Sequence, residues 1–69
     1  TAYDDLTAGD AAVNITTSSG NITIDAAAND SDIIFKGTDN SADITMLTLD
    51  GSAAGEATFN AGIVIPNDG

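Results

Sequence analysis

The chain has 69 residues, with eleven acidic side chains against a single lysine, a net charge of −10, and neither cysteine nor histidine. That balance argues strongly against nucleic-acid binding, which needs clustered Lys and Arg on phosphates, and opposes docking on anionic membranes; the missing Cys and His exclude disulfides and any thiolate or imidazole metal site. With 42% apolar residues the composition does not fit disorder, and no apolar run nears the roughly 20 residues of a membrane span.

A monomer of this size buries only about 60% of its unfolded surface. Such small chains usually need a staple or a partner. Without disulfides, the remaining routes are oligomerisation and embedding in a longer chain. The start at Thr1 without Met, and the turn-like ending Pro66-Asn67-Asp68-Gly69, read as a piece of something longer, with a processed mature protein as the alternative.

Residues 1–10 (TAYDDLTAGD) read as an extended lead-in from a preceding segment. Tyr3 reads as a packing anchor against a neighbouring chain rather than a stacking platform for a ligand. Residues 11–66 form the β-rich module. Val13-Asn14-Ile15-Thr16 alternates apolar and polar, the pattern of a half-buried strand. Thr17-Ser18-Ser19-Gly20 is a loop of hydroxyl residues closed by Gly. Asn21 to Asp25 alternates again, with Ile22 and Ile24 on one face. The two stretches repeat at a spacing of seven, as a hairpin or as successive faces of a coil.

Ala26-Ala27-Ala28 is too short to nucleate a helix and suits a corner where backbones approach closely. Ser31 to Lys36 predicts a strand with Ile33 and Phe35 on one face and Ile34 on the other, hence a strand sandwiched between layers or chains. Gly37 to Ser41 reads as a turn. Asp43 to Leu49 contains a phase slip: Ile44 and Met46 share one parity, Leu47 and Leu49 the other. A straight strand is then apolar on both sides, whereas a bulge or bend after Met46 brings all four into one core, and either arrangement requires a neighbour. Asp50-Gly51 predicts a tight hairpin turn. Glu56 to Asn60 is a weak strand with Ala57 and Phe59 inward. Gly62 to Pro66 is a last strand with Ile63 and Ile65 inward, ended by Pro66. Residues 67–69 are a tail leading onward.

The three runs around Ile22, Ile33 and Ile44 recur at a step of about eleven, strand then turn. The sequence therefore predicts an all-β fold with short strands every 9–11 residues. Ile and Val dominate the large side chains, and aromatics are scarce. A sandwich core usually wants one or two large aromatics, whereas narrow stacked β-structures can be filled by aliphatic ladders. The expectation is a trimeric β-helix or β-prism, with a single-chain β-solenoid or small sandwich as alternatives. Ile22, Ile24, Ile33, Phe35, Ile44, Met46, Leu47 and Leu49 are the expected axial core.

Candidate chemistry is sparse. Asp30, Asp32, Asp39 and Asp43 are hard-oxygen groups at turns and the only calcium candidates, but their spacing matches neither an EF-hand loop nor a Gly-rich calcium-binding β-roll. They read better as turn-capping Asx residues, and no cofactor is expected. A glycosidase pair of acids has no aromatic platform beside it. Nucleophilic catalysis has no His to serve as base, so no enzymatic activity is expected. Lys36 reads as the partner of an Asp on a neighbouring chain. Asn14-Ile15-Thr16 and Asn21-Ile22-Thr23 fit the glycosylation sequon, a pattern that arises often by chance.

The strings Gly9-Asp10-Ala11-Ala12-Val13-Asn14-Ile15-Thr16, Gly20-Asn21-Ile22-Thr23-Ile24-Asp25-Ala26, Asp32-Ile33-Ile34-Phe35-Lys36-Gly37-Thr38-Asp39, Ile44-Thr45-Met46-Leu47-Thr48-Leu49-Asp50-Gly51 and Ala57-Thr58-Phe59-Asn60 resemble a module repeated in tail-fibre and other appendage proteins of bacteriophages, particularly marine ones. The resemblance spans about residues 8 to 65. It implies a long homotrimeric β-fibre in the virion that bears a host-recognition tip elsewhere and contacts other tail proteins. It carries over no catalytic residue. The expected role is structural: holding that tip away from the particle. A receptor-binding module for glycan or an outer-membrane protein, and a capsid decoration or filament subunit, are the alternatives.

Overall fold

The computed structural model describes residues 2–67. Three strands form one antiparallel sheet in the order β1-β2-β3: β1 is Ile33–Asp39, β2 is Ala42–Asp50 and β3 is Glu56–Phe59. A one-turn 3₁₀ segment, Tyr3–Asp5, lies near the start, and another, Gly51–Ala53, joins β2 to β3. The fold is thus mostly β. Among the described residues there is one sheet, with neither a second sheet nor a stack of parallel coils.

The β1–β2 connection is tighter than Gly37 to Ser41. Gly37, Thr38 and Asp39 belong to β1, and only Asn40 and Ser41 turn the chain, at φ 50° and 72°. A two-residue loop with both residues left-handed matches the twist of the flanking strands, and Asn is among the side chains that tolerate that region. The β2–β3 corner is wider than an Asp-Gly hairpin turn. Asp50 caps it: its Oδ1 accepts from the Ser52 amide at 2.9 Å and from the Ser52 hydroxyl at 2.8 Å. Ala54 and Gly55 then take positive φ, and the Gly55 amide closes the corner on the Asp50 carbonyl at 2.8 Å.

The phase slip in β2 becomes a β-bulge. Phe35 pairs with Leu47 but Lys36 pairs with Thr45, which leaves Met46 without a partner on β1. Its carbonyl accepts instead from the Asn60 amide at 3.0 Å, just past β3. The bulge changes which residues share a face. A regular strand would put Ile44 opposite to Leu47 and Leu49. The shifted register pairs Ile44 with Gly37, on the side that carries Ile33 and Phe35. Met46 covers the same place, since a Cβ added at Gly37 would lie 2.8 Å from its Sδ.

Three expected strands do not form. Residues 13–16, 21–25 and 62–66 are outside any ladder. Their alternation is real, but a strand is defined by a partner, and this chain supplies them with none.

The chain does not close on itself. Its radius of gyration is 15.2 Å, where a compact chain of this length comes to about 11 Å. Among the described residues no side chain is buried, apolar or polar. Even the less exposed aromatics, Phe35 and Phe59, leave 41% and 42% of their surface open.

Candidate functional site

The sheet has two chemically distinct faces. Alternation from the paired registers puts Ile33, Phe35, Ile44, Leu47 and Leu49 on one side, and pairing of Leu47 with Phe59 and Leu49 with Ala57 extends that side across β3. Phe35, Ile44, Met46, Leu47 and Phe59 line one shallow hollow that holds no ionisable group. The opposite side carries Ile34, Lys36 and Thr38 from β1, Asp43, Thr45, Thr48 and Asp50 from β2, and Glu56 and Thr58 from β3. It is a surface of hydroxyls, methyls, one ion pair and, at the β2–β3 end, the carboxylates of Asp50 and Glu56.

That ion pair joins Lys36 Nζ to Asp43 Oδ2 at 2.9 Å. The only lysine is therefore engaged by an Asp of its own chain. The cause is register: Asp43 faces Thr38, two residues along β1 from Lys36 and on the same side. Both side chains are more than half exposed, so the pair contributes little to stability, about 0–1 kcal/mol.

The expected axial residues fall into two groups. Ile33, Phe35, Ile44, Met46, Leu47 and Leu49 meet on the sheet. Ile22 and Ile24 lie on the extended segment before it. Ile24 bridges the groups: it lines one hollow with Ile33 and Leu49, and another with Tyr3, Leu6, Ile15 and Ile22. Tyr3 itself is 89% exposed. Phe59 belongs with the apolar sheet residues, and the signal for it was present in the Ala57/Phe59 alternation.

The calcium candidates are not brought together. Asp43 is held by Lys36. Asp32 reaches across the sheet end, where its Oδ1 accepts from the Gly51 amide at 3.0 Å. Asp30 sits in a left-handed turn at φ 61°, and Asp39 ends β1. Among the described residues no three acidic side chains converge on one point. Asp32 and Asp50 instead organise the β2–β3 corner. The Ser52 hydroxyl above all holds the Asp50 carboxyl below the usual carboxylate value; desolvation opposes it, and the amides of Ser52 and Ala53 add smaller lowering contributions.

No helix among the described residues is long and apolar enough to cross a membrane. Comparison of the chain with family models, with curated proteins and with solved structures finds no match.

Proposed function

We propose that this chain is a structural segment of a phage tail fibre or similar virion appendage, built by association of three copies and holding a host-recognition tip away from the particle. One observation carries this reading: a sheet with an apolar face whose side chains the chain covers in part but nowhere buries. Exposed apolar surface of that extent marks an interaction site. The sheet is also a single layer, and a β-domain needs at least two packed layers around a core. Other copies of the same chain supply the missing layers. The apolar faces then form the axis, and the Lys36, Asp43 and threonine side faces water.

The role is mechanical, so no catalytic group is required. The ionisable side chains in the three hollows are Tyr3, Asp25 and Asp50, and Asp50 is already committed to the corner. Sedimentation velocity of the 69-residue chain tests the proposal, because it reads mass and shape together. The expected species is an elongated trimer that does not bind host cells or glycans alone. A folded monomer that binds glycan or cells would overturn this reading in favour of a receptor-binding module.

A further inference from the structure

We infer that residues 13–16 and 21–24, the two extended stretches on either side of the Thr17–Gly20 turn, are inter-chain strands, donated by each copy to a neighbouring copy of this same chain, whose backbone completes the ladder. The inference rests on the self-assembling reading above and adds which part of the chain crosses between copies. Four observations converge on it.

The first is pattern. Val13 and Ile15, then Ile22 and Ile24, alternate with Asn14, Thr16 and Thr23, the period of a strand with one buried face. The second is the backbone. Among the described residues, none from 7 to 27 makes a backbone–backbone hydrogen bond. The contacts there come from the Thr17 hydroxyl, which accepts from the Ser19 amide and lies within reach of the Ser19 and Gly20 carbonyls. The two extended, alternating stretches on either side of that turn lack only their partner strands. The sheet likewise leaves the outer edges of β1 and β3 unpaired, and open edges are templates for another chain.

The third is area. The chain exposes 6339 Å², whereas a compact monomer of 6.8 kDa exposes about 4,000 Å². The surplus is roughly 2,300 Å² per chain, beyond the roughly 800 Å² a partner contributes to a standard interface and in the range of obligate assemblies. The fourth is charge, and it selects the occupant. In a chain of net charge −10, residues 11–24 hold no charged side chain, and Asp10 and Asp25 bracket them. Identical copies can pair over this neutral window without setting carboxylates against each other. A basic partner would find no acid there to engage.

The test is residue-resolved hydrogen exchange on the 69-residue chain, with the mass of the same sample read by light scattering. The inference predicts an oligomer in which amides within 13–16 and 22–24 exchange at least about a hundredfold more slowly than in an unstructured chain, and in which that protection disappears on dilution together with the oligomer. An oligomer whose segment exchanges freely overturns the inter-chain strand and leaves the fibre reading standing. A monomer overturns both.

Discussion

Replacing Gly51 with Ala should be among the most damaging single-methyl changes in the chain. A Cβ built at Gly51 falls on the Ser31 carbonyl oxygen, with the Ser31 carbonyl carbon at 3.1 Å and its nitrogen at 3.5 Å. The obstacle is backbone, so it cannot swing aside. The corner must lift away from the turn that leads into β1, and the Asp32–Gly51 hydrogen bond at 3.0 Å goes with it. Overpacking of this kind costs about 1–3 kcal/mol, and loss of one exposed hydrogen bond adds about 1 kcal/mol. The expected loss is therefore about 2–4 kcal/mol, read as a urea midpoint at fixed protein concentration, since assembly makes stability concentration-dependent. Two other glycines serve as controls. A Cβ at Gly9 meets nothing within 4 Å, so Gly9→Ala should stay within about 0.5 kcal/mol of the parent. At Gly37 the contact is the half-exposed thioether of Met46 at 2.8 Å, which can rotate away, so Gly37→Ala should fall between the two. A Gly51→Ala variant no less stable than Gly9→Ala would refute the corner as described.

Other consequences concern the assembly. Ile33→Asp places a carboxylate on the apolar face; three copies would bury three of them together, at a cost of several kcal/mol each, and size-exclusion chromatography should show only unassembled chain. Three chains of −10 repel one another, and salt screens that repulsion over a Debye length of about 8 Å at physiological strength; raising salt from 20 to 300 mM, values on the order chosen to span that screening, should shift the dissociation midpoint to lower protein concentration. The depressed Asp50 carboxyl contributes stability at pH values above the ordinary Asp range, and that contribution is lost as pH falls through the lowered folded-state value. Acid titration of Asp50→Asn, followed by circular dichroism, should therefore show a smaller stability loss below pH of about 4 than the parent.

Much of the sheet was legible because local chemistry decided it. The β-branched runs at Ile33-Ile34 and around Ile44 mark β1 and β2, and the parity change between Met46 and Leu47 marks the bulge that the register contains. Turn boundaries were less legible. Gly37 reads as a breaker, yet it sits inside β1, where Met46 occupies the space a side chain would fill. Ser41 shows no preference for positive φ but adopts it because the two-residue hairpin requires it. Asp50-Gly51 reads as a hairpin turn, but the Ser52 amide and hydroxyl draw the Asp50 carboxylate into a capped 3₁₀ corner. The segments around Val13, Ile22 and Ile63 show the limit most clearly. Alternation reports which face of a strand wants burial; it does not report which chain provides the partner. For the same reason, the partner of Lys36 depended on register, which brings Asp43 to 2.9 Å within the same chain.

The most direct test of the central claim is the solution mass of the 69-residue chain, measured by light scattering over a dilution series. A species of three times the 6.8 kDa chain mass, stable across the series until it dissociates and unfolds together, is the predicted result. A folded species at the single-chain mass would contradict it, because the apolar sheet face and the unpaired segment 13–24 would then be satisfied without any other copy.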